Sequence, residues 1–432
     1  MAIDDILNSV HLNEQDAKKD IVSETSFEKK ETVSCNFDIG DESIGLPNVK
    51  IFGVGGAGNN IISYLEKIRS WPKNVKFWAF NTDKKTLIRL AKTQINSSLF
   101  LVGEKKLNGF GSGGDPIVGK TAFEENKLDA EKILGDDTNI LFIIAGLGKG
   151  TGSGVSPEIA KIAKAKGIIT VGIITLPSVN VEGNKVYENA MNSYDELQAV
   201  CDSLCAISND KIILSNNKTT FISQLEQGNS EIGAIVNDFV EIISDAGEFN
   251  IDFNDLKSFI QANKHFFHIM VKVKTDSTYE ELSVILKDAI SNSYSNINFE
   301  LNEIDVICDF KINKDTPTNL VSDTRRLLEE ISQTHNIKFT YGIQNIPNAD
   351  NAIISLFISN SQQASDTYKK NDHDKSNHDS RNEYIVNSTD ELLQQMHKNS
   401  QTKKITKKLF SWGNDEEDEQ PLLTQLLNEN KE

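Results

Sequence analysis

The chain has 432 residues, with 38% hydrophobic and 25% charged, enough for two or three domains with a sizeable core. A formal net charge of -18 leaves no surplus of cations to neutralise phosphates, which excludes a dedicated nucleic-acid binder. The acidic start MAIDDILNSVHLNEQD lacks a signal peptide's basic and apolar regions, no apolar run approaches the roughly 18 residues of a membrane span, and Cys35, Cys201, Cys205 and Cys308 form neither a disulfide framework nor a metal site, so a cytoplasmic protein is expected.

Residues 1–46 are polar and without periodicity, the composition of a disordered arm. Order begins at VKIFGV (49–54), followed by a helix from about Asn60 to Ile68, the strand VKFWAF (75–80) and the strand LFLV (99–102). A helix through AFEENKLDAEKIL (122–134), the strand NILFIIAG (139–146), a helix over PEIAKIAKAKG (157–167) and the strand IITVGIIT (168–175) come next. Short β-branched strands alternating with helices predict a parallel sheet covered on both faces. A long helical pattern over 231–246 leads to FFHIMVKV (266–273), a helix through 279–291, IDVICDFKI (304–312), a helix from Val321 to Thr334, and the strands KFTYGIQ and AIISLFIS. The expected fold is α/β: a parallel-sheet, Rossmann-like domain, a long connecting helix and a smaller mixed α/β C-terminal domain. Its expected bounds are 1–46 for the arm, 47–228 for the first domain, 229–256 for the helix and the loop after it, and 257–360 for the second domain. A polar linker (361–402) and a terminal tail (403–432) complete the chain.

GDPIVGKT, Gly114 to Thr121, fits the phosphate-loop pattern G-x-x-x-x-G-K-[ST]. That loop requires a buried strand running straight into it, and here the nearest strand ends about a dozen residues earlier. A surface loop led into the next helix by Pro116 is expected instead. Two other glycine runs follow strands directly. GVGGAGNN (53–60) opens a helix, where backbone N–H groups and the helix dipole favour an anion, and Asp83 lies where a dinucleotide enzyme would hold ribose. GLGKGTGSG (146–154) carries more glycines than a packing turn needs, so that amides can approach oxygens closely. A side chain at Gly150 is expected to intrude on a bound phosphate while leaving the fold largely intact. A hydride-transfer enzyme has no use for this second cradle.

GKGTGSG resembles the GGGTGTG signature of the FtsZ branch of the tubulin superfamily, a family of GTPases. AFNTD (79–83), GFGSGGDP (109–116), ITLPSVNVEG (174–183), ISNDKIIL (207–214) and FNIDFNDL (249–256) agree in order and spacing. The resemblance covers about residues 48–360. It implies that Gly56, Ala57, Gly58, Asn59 and Asn60 form a first phosphate loop and Gly150, Thr151 and Gly152 the core of a second. It implies that Glu182 contacts ribose, that Asn229 reads the guanine edge, and that Asn250, Asp252 and Asp255 act on the nucleotide of a neighbouring subunit. GTP, with Mg2+, would be hydrolysed between head-to-tail copies of the chain in filaments at the bacterial division site, near the inner face of the membrane. The residues alone leave a plainer role for Asp252, as a helix cap.

Four positions depart from the family pattern. Val186, beside Lys185, stands where an arginine usually contacts nucleotide, Leu225 where an aromatic stacks on the base, and Lys149 and Asn59 replace glycines. Val186, Leu225 and Lys149 motivate a second expectation, a GTP-binding filament scaffold with weak or no hydrolysis. KKITKKLFSW (403–412) has the composition of a membrane-surface or anionic-partner helix, or of a solvated linker. The acidic run DEEDE precedes QPLLTQLL, which loosely resembles the family's terminal peptide. Pro421, Leu422, Leu423 and Leu426 are the implied anchors for membrane-tethering and other division partners.

Overall fold

The computed structural model describes residues 46–93, 96–215, 220–244, 247–299, 303–347 and 349–359. The expected arm (but for its last residue), linker and tail, with Pro421, Leu422, Leu423 and Leu426, lie outside the described residues. Strands β1 (Val49–Val54), β2 (Val75–Asn81), β3 (Ser98–Leu101), β4 (Ile140–Gly146), β5 (Ile169–Leu176) and β6 (Ser203–Ser208) form one sheet in the order β3-β2-β1-β4-β5-β6. Every pairing is parallel. The direction of winding reverses between β1 and β4, which opens a crevice beyond the carboxyl ends of those two strands.

Burial on both faces explains the unbroken apolar strands. Along β4, Phe142 and Ile144 enter one core while Leu141, Ile143 and Ala145 enter the other, the period of two expected of a strand. The first core includes Ile61 and Leu65 of the helix Gly55–Ile68 and Ile235, Phe239 and Val240 of the long helix Phe221–Ser244. The second includes Val155 and Ile159 of the helix Gly150–Ala165 and Tyr194 and Leu197 of the helix Asn184–Val200. β6 escaped the sequence because SLCAIS is short and rich in small residues.

β7 (Phe266–Lys274), β8 (Ile304–Ile312), β9 (Ile337–Asn345) and β10 (Asn351–Ser359) make a second sheet in the order β7-β10-β8-β9. β10 runs antiparallel to both neighbours, whereas β8 and β9 are parallel. The helices Tyr279–Ser291 and Asn319–Ser332 cover one face through Leu282, Leu286, Leu327 and Leu328. Thr278 and Glu281 start the former with a reciprocal capping box, which fixes its first residue.

The long helix joins the two sheets. Phe239 touches Phe142 of the first (5.4 Å between centroids) and Phe266 and Phe357 of the second (5.5 and 4.1 Å). One residue earlier, the wholly buried Asp238 accepts hydrogen bonds from His268 Nε2 on β7 (2.8 Å) and Lys311 Nζ on β8 (3.2 Å). Lys311 also pairs with Glu241, which receives Arg69 Nη1 at 2.7 Å from the end of the helix Gly55–Ile68. Burial by itself would raise the Asp238 carboxyl, but the Lys311 ammonium, followed by His268, holds it well below the usual carboxylate range.

Both glycine runs differ from expectation. The helix expected from Asn60 begins at Gly55, and the one expected from residue 157 begins at Gly150 with Pro157 inside it. Each strand passes almost directly into its helix, so most of each run lies in the first turns. All of GDPIVGKT after Asp115 is helical as well, not a surface loop. Asp115 caps the helix Pro116–Phe123 by accepting from Ile117 N, with Pro116 at its first position, where a missing N–H costs nothing. Lys120 of this run meets Glu158 and Glu196 at 3.3 and 3.0 Å, which removes it from any phosphate role.

Candidate functional site

Two helices begin side by side in the crevice between β1 and β4. Gly55 adopts φ +76°, and a Cβ there would lie 2.9 Å from Gly152 N, so only glycine permits this contact. Val54 and Lys149 stand at the two N-cap positions, yet neither gives a side-chain cap, and neither helix has an acid in its first turn. Asp83, Asp115, Ser178, Asp252 and Thr278, by contrast, cap their own helices. Two uncapped N-termini leave several N–H donors and two positive dipole ends pointing into one place, which is a receptor for an anion.

The crevice is a cavity of about 730 Å³, within the range of ligand pockets. Gly56, Ala57, Gly150, Thr151, Gly152 and Glu182 line it, which brings together six of the ten residues expected to bind nucleotide. Gly58, Asn59, Asn60 and Asn229 are not among the described lining residues. Gly58 presses against β4, where a Cβ would come within 2.3 Å of Ile144 O. Asn59 is buried beneath the site and donates to Gly53 O (2.8 Å) and Phe80 O (3.3 Å), while Asn81 Nδ2 donates to Asn59 Oδ1 (2.7 Å). Asn81 in turn accepts from Asp83 N at 3.0 Å. This chain of amides braces the corner Asn81–Asp83 from below. Asn60 borders a separate small hollow with Thr86 and Arg89. Asn229 is half-buried on the long helix, one turn beyond Leu225, which does reach the cavity.

Three hydroxyls meet at the cavity wall. Thr82 Oγ1 and Thr151 Oγ1 are 2.7 Å apart, and Ser112 Oγ lies 3.5 Å from each. They join the end of β2, the loop GFGSGG and the start of the helix Gly150–Ala165. Thr82 and Ser112 stand in motifs visible in the sequence, but their meeting across 30 residues has no local signal. Asp83 also lines the cavity. Burial works against its charge, but the hydrogen bonds from Thr86 and Lys85 N together outweigh it and keep its carboxyl below the ordinary value, and both oxygens are engaged in the cap. Val181, Ile212, Ile213 and Leu225 add apolar surface to the lining. Lys211, before the lining residue Ile212, donates to the carbonyls of Ser293 (3.3 Å) and Ser295 (2.6 Å), and burial lowers it to about 8.

The expected effect of a side chain at Gly150 needs correction. A Cβ there would lie 2.0 Å from Ser112 Oγ and 2.8 Å from Asp115 O, so a side chain would displace the glycine-rich loop rather than leave the fold intact. Gly56 is the glycine with open space: a Cβ there meets nothing within 4 Å.

The acidic loop lies elsewhere. Asp252 and Asp255 are exposed, and neither they nor Asn250 line the cavity. Asp252 Oδ1 accepts from Asp255 N at 2.9 Å, and Asn250 Oδ1 from Gly247 N at 2.6 Å. Phe249 exchanges two backbone hydrogen bonds with Ile343 on the free edge of β9 (3.2 and 2.8 Å), and its ring stacks on Tyr341 at 5.3 Å. The loop is thereby presented outward on a fixed support.

Comparison with known proteins accords with this geometry. The sequence pattern of the Tubulin/FtsZ family, GTPase domain, matches residues 48–217. A cell division protein FtsZ of Wigglesworthia glossinidia brevipalpis is 36% identical over 211 residues, which are 49% of this chain and 53% of that protein. The chain therefore spans about half the length of that curated relative. An FtsZ dimer of M. jannaschii superimposes with a TM-score of 0.62 at 26% identity, over 74% of this chain and 89% of that one. CetZ2 from Haloferax volcanii, in a GTPgS bound protofilament, shares the fold with a TM-score of 0.61 at 19% identity, over 75% and 96%. Two glycine-rich helix starts meet at the switch point of a 3-2-1-4-5-6 sheet, and residues 48–217, which carry them, are similar to the GTPase domain of the Tubulin/FtsZ family.

Proposed function

We propose that the chain binds GTP in the crevice and hydrolyses it between head-to-tail copies of itself, in filaments that serve bacterial cell division on the cytoplasmic side of the membrane. The observation that carries this is the pair of uncapped helix N-termini facing one cavity, while the acidic loop stands apart from it. Phosphates sit against the amides of Gly56, Ala57 and Gly150–Gly152, and the base lies toward Leu225 with Asn229 reading its edge. Bound Mg2+ supplies charge neutralisation at the phosphates. Among the described residues no group of three His, Cys, Asp or Glu gathers as a cage, and Mg2+ commonly relies on phosphate and water ligands; the hydroxyls of Thr82 and Thr151 suit such a shell. Phe110 and Val181, both largely exposed at the cavity lining, give the mouth an apolar rim for a second copy to cover. Asn250, Asp252 and Asp255 of that copy would orient the attacking water, the positioning on which phosphoryl transfer depends. The tail anchors Pro421, Leu422, Leu423 and Leu426 would recruit division partners.

Gly56→Val tests the cradle. Its side chain enters open space, so the protein should fold normally yet bind GTP about 100-fold more weakly, the loss of one or two charge-assisted hydrogen bonds. Unchanged affinity by calorimetry in the folded variant would remove the phosphates from this crevice. Guanine selectivity is a second check: ATP should bind far more weakly than GTP because it leaves polar edge groups unpaired. Equal affinities would contradict the role given to Asn229.

A GTP-binding scaffold with weak hydrolysis is the competing function. It is favoured by Val186, which packs beneath Gly148 and offers no charge, and by the aliphatic Leu225. Turnover per subunit measured across the assembly threshold separates the two, since only the GTPase shows a steep rise.

A further inference from the structure

The cavity is anion-binding mainly through its backbone. Among the described residues lining it, Lys149 is the one cation, against two carboxylates, Asp83 and Glu182. Asp83 is committed to its cap. Lys149 Nζ lies 2.9 Å from Glu182 Oε2, with the lysine side chain 69% exposed and the glutamate 24%. This ion pair ties together two lips of the cavity, the turn after β4 and the short helix Val179–Glu182. A pair with one partner this exposed is held weakly, and lysine is a flexible point charge that changes partners at little cost. Lys149 also stands at the N-cap of the helix Gly150–Ala165, beside the amides to which an anion would be drawn. A polyphosphate brings several negative charges to that position, where a single carboxylate now holds the ammonium. Glu182, once released, is an acceptor facing the same cavity, and a sugar hydroxyl is the donor that suits it.

We propose that Lys149 is an exchangeable counter-ion, paired with Glu182 until nucleotide enters and then transferred to a phosphate oxygen, which frees Glu182 to accept from the sugar. This rests on the nucleotide assignment made above. The lysine thereby makes affinity depend on phosphate charge.

Binding of GTP and of guanosine to the full chain, measured below its assembly concentration, tests the exchange in wild type, Lys149→Met and Lys149→Arg. Lys149→Met should weaken GTP roughly tenfold, the worth of one hydrogen bond to a charged group, and should bind guanosine as well as wild type or better. Lys149→Arg should retain most of the GTP affinity. GTP affinity should also fall more steeply with salt in wild type than in Lys149→Met. Unchanged GTP affinity in Lys149→Met, or equal loss for both ligands, overturns the exchange while leaving the nucleotide assignment standing. A wild-type chain that binds neither ligand overturns both.

Discussion

Lys311→Met should lower the free energy of unfolding by about 3–5 kcal/mol, the usual consequence of removing one partner from a buried ion pair. Asp238 is inaccessible on the long helix, and its compensation comes from β7 and β8 through His268 and Lys311. With the ammonium gone, the carboxylate keeps its burial and loses the charge that offset it. The same geometry sets a pH dependence. The carboxyl of Asp238 is depressed in the folded state and the ammonium of Lys311 is raised, its burial outweighed by Asp238 and Glu241. Asp238 thus contributes stability fully above the ordinary carboxylate value of about 4, and Lys311 fully below the ordinary lysine value of about 10. Wild type should lose this contribution as pH falls below about 4, toward the depressed folded value. In Lys311→Met this acid loss should shrink or reverse, because burial, no longer offset by the ammonium, pushes Asp238 upward and protonation then favours the folded state. Urea titrations at a series of pH values measure both effects. A variant as stable as wild type, with the same acid limb, would show that the network contributes nothing.

Asp252→Asn should leave GTP binding intact and reduce turnover by roughly 10²-fold or more, the scale of a lost proton-transfer or water-orienting group. Asparagine is the informative replacement because Asp252 caps the helix Phe253–Ala262. An amide oxygen preserves that cap, whereas alanine would cost about 1 kcal/mol of helix stability and confuse the result. The exposed aspartates do not line the cavity of their own subunit, so the hydrolysis proposed above would need a second copy. Mixing Asp252→Asn with Gly56→Val should therefore restore part of the turnover, since the intact cavity of the first can meet the intact acidic loop of the second. Hydrolysis that is linear in wild-type concentration far below assembly would show a self-contained site and reject the shared one.

Much of this was legible in the chain because it is local. A parallel sheet follows from apolar β-branched runs spaced by helices, since a strand buried on both faces needs no polar positions. The glycine signatures and FNIDFNDL likewise mark their places, because each motif keeps its parts within one turn. The tertiary structure decided which glycine does what. Gly56 and Gly150 are chemically the same, yet one faces open cavity and the other is closed in by Ser112 and Asp115, contacts that depend on a loop about 40 residues away. It also placed PIVGKT in a helix, with Lys120 spent on Glu158 and Glu196. The Asn59 side chain is a buried brace, and Lys149 gained a partner in Glu182. The Asp238–Lys311 network and the Phe249–Tyr341 support were invisible beforehand, because a buried charge or an aromatic stack is defined by residues brought together from 73 and 92 positions apart. Local sequence sets the period and the backbone donors; which of them face the cavity depends on packing that no single segment contains.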